Sequence, residues 1–223
     1  MKSKTTLMKP FLIIVILLFC TLTALGQQPE YPDSGFTDKA EAKNLTVNGL
    51  KEGKWVEYYR DKGEWILPVN SFDSANYYCL IIYTAGKIDG IKRRYYKNGK
   101  IESITPFLNG KENGIIKQYF ANGNRRDEIP YNDGKLDGVW KEYYEDGKLK
   151  SESHYTNNIN NGIDKIYYES GHVKFETPYA NNKVNGIFKE YYESGKLKSE
   201  TPYIDGNRGE IKQYDENGNE IKQ

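Results

Sequence analysis

Residues 138–161 read GVWKEYYEDGKLKSESHYTNNINN, and this stretch decides the architecture because its frame recurs. Glycine returns at Gly90, Gly114, Gly138, Gly162 and Gly186, a constant step of 24 residues, and again nine residues later at Gly99, Gly123, Gly147, Gly171 and Gly195. Self-similarity at one period marks stacked supersecondary units, none of which can bury a face alone. Counted from its first glycine as +0, this unit has apolar or aromatic residues at +1, +2, +5, +6, +11 and +17. That spacing fits strands and not a helix. Two extended runs flank Asp146-Gly147, as others flank Asn98-Gly99, Asn122-Gly123, Ser170-Gly171 and Ser194-Gly195. Such dipeptides predict a two-residue hairpin turn with positive φ at both residues.

A two-residue turn places +6 opposite +11 and +3 opposite +14. The charges agree: Lys117 would face Glu128, Lys141 Glu152, Lys165 Glu176 and Lys189 Glu200, with Arg93 opposite Ile104 as the exception. Opposed charges on paired strands contribute only about 0.2–1 kcal/mol each, so they select register more than they supply stability. The same register pairs Tyr96 with Ile101, Tyr144 with Leu149, Tyr168 with Val173 and Tyr192 with Leu197, on the face that also carries +2. A second turn is expected at +19 and +20, where Asn109-Gly110, Asp133-Gly134, Asn157-Asn158, Asn181-Asn182 and Asp205-Gly206 tolerate positive φ. The predicted fold is all-β: an elongated, single-layer, twisted antiparallel sheet of tandem 24-residue β-hairpins. It should advance about 10 Å per repeat. Its 20 tyrosines suit a half-exposed sheet, since the ring packs while the hydroxyl stays wet. Its two ends are expected to be open strand edges.

The chain's start is different in kind. Lys2, Lys4 and Lys9 precede an apolar run from Phe11 to Cys20 that ends in Ala24-Leu25-Gly26, the pattern of a secretory signal peptide over residues 1–26. The run is shorter than the roughly 20 residues of a spanning helix, so export is expected, with an uncleaved N-terminal anchor as the alternative. Bulky Phe19 before Cys20 argues against a lipobox. Cleavage leaves 29 basic against 31 acidic side chains, and a net charge of −2 without clustered cations disfavours nucleic acid. Cys79 would then be the only cysteine, so no internal disulfide is expected. Residues 27–52, polar and containing Pro29 and Pro32, are read as a leader and cap, and residues 53–223 as the repeat domain. Gly53 to Gly90 spans 37 residues, 13 more than one period, which places an insertion within 64–82. Insertions in repeat arrays map to loops and can carry binding or be tolerated surface.

No catalytic, cofactor or metal site is expected. His154 and His172 stand at different repeat positions without ligand spacing, and Cys79 has neither a nearby histidine nor a CxxC partner. Glu128, Glu152, Glu176 and Glu200 recur at one position opposite lysines, whereas a catalytic pair of carboxylates needs dissimilar environments. The glycines form no phosphate loop, since no GxxxxGK[ST] occurs.

Comparing the repeats with each other separates frame from recognition. Position +5 is tyrosine in every unit: Tyr58, Tyr95, Tyr119, Tyr143, Tyr167, Tyr191 and Tyr214. Position +2 runs through Trp55, Lys92, Ile116, Trp140, Asp164 and Phe188, and +4 through Glu57, Arg94, Gln118, Glu142, Ile166 and Glu190. Variation on a fixed frame suits recognition; the bland alternative is drift on a wet sheet. The candidate groove comprises Arg94, Trp140, Asp164 and Phe188, with Trp65 and Tyr78 of the insertion nearby.

DGKLDGVWKEYYEDGKLKSE at 133–152, echoed by NGIFKEYYESGKLKSETPY at 185–203, resembles the MORN-repeat variant of YwqK-type antitoxin-like proteins over about residues 49–223. The resemblance rests on the glycine, the aromatic pair, the Asn/Asp-Gly-Lys turn and Lys-x-Glu. It implies a meander of β-hairpins and a bacterial antitoxin or immunity role. The expected function is therefore a non-enzymatic, exported protein, in periplasm, at the cell surface or outside, that binds another protein. The alternative is carbohydrate or envelope binding through the aromatic rows.

Overall fold

The computed structural model describes residues 35–60, 68–69 and 75–222; the expected signal peptide, the first part of the leader and Trp65 lie outside the described residues. In the unit at Gly138, the strand Gly138–Tyr143 turns into Leu149–Thr156, which turns into the short strand Ile159–Asn160 and then Gly162–Tyr167. Each long strand pairs antiparallel with its neighbours in sequence, so hairpin follows hairpin in one open sheet. The charge-selected register is present: Lys117, Lys141, Lys165 and Lys189 pair with Glu128, Glu152, Glu176 and Glu200, and Arg93 pairs with Ile104.

Nearer the first turn the pairing departs from expectation. Positive φ falls on Gly147 (90°) alone, not on Asp146, and the amide of Tyr144 donates to the carbonyl of Lys148 at 2.8 Å while Gly147 donates back to Tyr144 at 2.9 Å. The loop therefore holds three residues, with one left-handed glycine, and the Asp146 carboxylate accepts the Lys148 amide at 3.0 Å. The longer loop leaves one residue unopposed at +12, and the register shifts there. Ile101, Leu149, Val173 and Leu197 consequently pair with Tyr95, Tyr143, Tyr167 and Tyr191, not with the +6 tyrosines, and lie on the face opposite to +2. At the second turn both residues have positive φ, as in Asn109 (52°) with Gly110 (84°) and Asn157 (51°) with Asn158 (67°), the two-residue geometry expected there.

The strands sort the side chains onto two unlike faces. One carries the constant residues, including a directly paired row running Lys117, Glu128, Lys141, Glu152, Lys165, Glu176, Lys189, Glu200. Here the +5 tyrosines of the last four units reach back to the glutamate of the previous one: Tyr143 to Glu128 at 2.8 Å, Tyr167 to Glu152 at 2.8 Å, Tyr191 to Glu176 at 2.9 Å and Tyr214 to Glu200 at 2.9 Å. On the other face the +6 hydroxyls reach forward, Tyr144, Tyr168 and Tyr192 donating to the carbonyls of Tyr167, Tyr191 and Tyr214 at 2.7–2.9 Å. At the turns Lys100, Lys148 and Lys196 donate to the carbonyls of Ala121, Glu169 and Glu216. His172 takes the lysine's place, its Nδ1 lying 2.6 Å from the Glu193 carbonyl; a carbonyl only accepts, so this nitrogen carries the proton. Side-chain bonds between nearest neighbours thus join repeats that share no thick core.

These tyrosines should make stability fall in alkali. Burial first, then the bond to Glu176, pushes the Tyr191 phenol up to about 12. The folded chain holds this proton more tightly than the unfolded one, whose phenols titrate near 10. The contribution is therefore complete below about pH 10 and is lost as pH rises through the folded value. Urea midpoints should drop above pH 10, and Tyr191→Phe should make that drop shallower; equal slopes for the two proteins would contradict the assignment.

Both ends of the sheet are covered, contrary to the open edges expected. The outer edge of Leu50–Tyr59 is met by Leu45–Val47, by the amides of Lys43 and Asn44 on the Lys54 carbonyl, by Asn44 Oδ1 on the Val56 amide, and by Pro68–Val69. At the other end the chain folds back, Ile221 donating to the Gln213 carbonyl at 2.8 Å. Blocking short edges in this way protects the sheet from pairing with another chain. Among the described residues, only the first hairpins are buried on both sides. Leu80 and Phe36 are fully buried on the constant face, where Arg93 donates to the Phe36 carbonyl at 3.1 Å. Cys79, Ile81 and Tyr83 pack with Trp55, Tyr59 and Ile88 on the other. Burial raises the Cys79 thiol to about 11, which makes it an inert packing residue.

Candidate functional site

The second face carries the variable positions. A row of directly paired residues crosses it through Cys79, Arg94, Ser103, Gln118, Asp127, Glu142, Ser151, Ile166, Phe175, Glu190 and Ser199. Position +2 lies two residues along the same strands, so Arg94, Trp140, Asp164 and Phe188 share this face. Tyr78 does not. It follows the opposite parity, stacks on Tyr95 at 4.9 Å with the rings 8° from parallel, and lies beneath the Lys39 ammonium of the leader. Trp65 is outside the described residues.

Two of the four are occupied within the chain. Arg94 pairs with Glu102 at 3.3 Å and lays its guanidinium 4.4 Å from the Tyr77 ring centre. Asp164 accepts the backbone amide of His154 at 3.0 Å and the side-chain amide of Asn160 at 2.7 Å. The reason lies one strand back. Position +16 is proline at 106, 130, 178 and 202, which has no N–H to satisfy; at His154 there is one, and the Asp164 carboxylate receives it. Asn160, only 8% exposed, is in turn fixed by the Asn182 side chain, whose Oδ1 accepts the Asn160 backbone amide at 2.7 Å. Asp164 is a backbone cap that departs from the +2 pattern because its neighbour departs from the +16 pattern.

Trp140 and Phe188 remain half-exposed on the face. Trp140 packs 6.5 Å from Tyr155 and points Nε1 at Asp127 at 3.4 Å. Phe188 stacks on Phe175 at 5.7 Å and meets the edge of Tyr203 at 6.5 Å. Ile166, paired directly with Phe175, is 43% exposed. Phe175 escaped the sequence reading although its signal was present: +13 is Ser103, Asp127, Ser151 and Ser199 in the sister units. The result is an apolar patch of Ile166, Phe175 and Phe188, with Trp140 two strand pairs away. Among the described residues no group of three His, Cys, Asp or Glu side chains could hold a metal ion.

Compared with known families, residues 88–109, 112–133, 136–157, 160–181 and 184–205 each match the MORN repeat variant. The chain carries five tandem MORN repeats. Successive matches are separated by two residues at the second turn, so the family's unit is one hairpin bounded by those turns. The first and last hairpins lie outside the matched MORN repeats but pair into the same sheet. No curated protein matches the chain.

Proposed function

We propose that this MORN-repeat protein is a non-enzymatic binding protein whose variable face, centred on Trp140, Ile166, Phe175 and Phe188, captures another protein. The observation that carries it is the asymmetry of the sheet. On one face the same tyrosine, lysine, glutamate and proline recur; on the other, positions +2, +4 and +13 change from unit to unit, and the aromatic residues among them stay half-exposed. Aromatic side chains on a rigid frame bring large contact area at low entropic cost. The N-terminal segment supports export, and the YwqK-type resemblance supports an immunity-like partner: a toxin or surface protein met outside the cytoplasm.

Affinity purification of the tagged exported chain from its native cells tests this. Trp140→Ala with Phe188→Ala should reduce the captured protein at least about tenfold, as loss of aromatic anchors does, and leave the unfolding midpoint close to that of the parent. Unchanged capture would contradict the proposal. Retention on a glycan array, lost in the same variant, would favour carbohydrate as the ligand.

A further inference from the structure

The loop-induced register shift pushes the +12 side chain out beside +13, and in most repeats it meets an opposite charge there. Glu102 pairs with Arg94 at 3.3 Å, Arg126 with Asp127 at 2.7 Å and Lys198 with Glu190 at 2.8 Å. Lys150 has Glu142 at +4 of its own repeat, although that carboxylate accepts from Ser151 instead. The repeat at Gly162 breaks the scheme twice. Its +4 residue is Ile166 and its +13 residue is Phe175, so Lys174 has no carboxylate within ion-pairing distance among the described residues. Its ammonium sits instead 5.3 Å from the Tyr168 ring centre and 5.4 Å from that of Phe175. The nearby acids are already engaged: Glu190 by Lys198 and Ser199, Asp164 by His154 and Asn160.

We propose that this repeat receives an acidic, apolar segment of a partner protein. An aliphatic or aromatic side chain of the segment packs on Ile166, Phe175 and Phe188, and an adjacent carboxylate pairs with Lys174. Lys174, like Lys150, forms no ion pair among the described residues, and it is Lys174 that lies against Phe175 of the apolar patch, on the same face. A carboxylate there gains a charge partner without displacing an existing one, whereas a basic segment would meet Glu190, already paired with Lys198, and Asp164, whose two oxygens already accept from His154 and Asn160. The inference rests on the variable face being the binding surface.

Selection of a random peptide library displayed on phage, against the full exported chain, tests it. The parent should enrich peptides with Asp or Glu next to an aliphatic or aromatic residue. Lys174→Glu should weaken those peptides about tenfold or more and enrich peptides with Lys or Arg in their place. Ile166→Ser with Phe175→Ser should abolish enrichment while retaining the parent's β-sheet circular dichroism. Enriched peptides that are lost with Trp140→Ala and Phe188→Ala but show no charge preference, or none altered by Lys174→Glu, would overturn this inference and leave the binding face standing. Enrichment insensitive to every one of these substitutions would overturn both.

Discussion

Gly162→Ala is expected to lower stability by about 2–5 kcal/mol, more than the same change at Gly171. Both glycines have positive φ, 148° at Gly162 and 91° at Gly171, where an L residue is strained by about 1–2 kcal/mol. They differ in what a Cβ would meet. At Gly171 nothing lies within 4 Å, whereas at Gly162 the added carbon would stand 2.7 Å from His154 Cβ, a contact that must push one strand from the other. Overpacking of that kind costs typically 1–3 kcal/mol more. The same geometry recurs at Gly138, where Pro130 Cγ would be 2.9 Å away, and at Gly186, where Pro178 Cγ would be 3.0 Å away. The 24-residue spacing of these glycines is therefore imposed by a close crossing of each unit over the +16 ring of the unit before. Urea denaturation of Gly162→Ala and Gly171→Ala measures the difference; equal losses would show that the crossing does not constrain the position.

Asp164→Leu should cost about 1–3 kcal/mol in the parent chain, the price of leaving the His154 amide without an acceptor. In a His154→Pro background, which restores the sister repeats' residue and removes that amide, the same substitution should cost less, the remainder coming from the Asn160 side-chain amide that Asp164 also accepts. The expected coupling between the two sites is the share due to the His154 amide, and a double-mutant cycle reads it directly. Equal costs of Asp164→Leu in both backgrounds would return Asp164 to the list of recognition residues.

The hairpin architecture, the antiparallel register at +3 and +14, and the second turn were legible because each depends on residues that repeat. Lysine opposite glutamate cannot survive a one-residue slip, and Asn109-Gly110 or Asp133-Gly134 suits only a turn with two left-handed residues. The first turn was less legible because Asp-Gly and Asn-Gly serve both a two-residue loop and a three-residue loop with a single left-handed glycine. That one residue moved Leu149 from Tyr144 to Tyr143, and so to the other face. Within the candidate site, Trp140 and Phe188 were singled out by variation at +2, whereas Ile166, although +4 varies, was not. Phe175 was missed at +13, where the sister units carry serine or aspartate. Asp164 was misread because its explanation lies ten residues upstream, at the one repeat whose +16 residue is not proline. Tyr78 was misplaced because the insertion interrupts the count by which its parity could be followed; only its pairing with Tyr95 fixes the face.

The claim that the variable face is the binding surface is tested most directly by photo-crosslinking in the native cells, with a benzophenone amino acid placed at Trp140, Ile166 or Phe188 and, for comparison, at Ile163 or Ile187 of the constant face. Ile166, Ile163 and Ile187 are all well exposed, so access to solvent does not distinguish the faces. The account predicts one crosslinked protein from the first three positions and none from the other two. Crosslinks of equal yield from both faces, or from Ile163 and Ile187 alone, would contradict it.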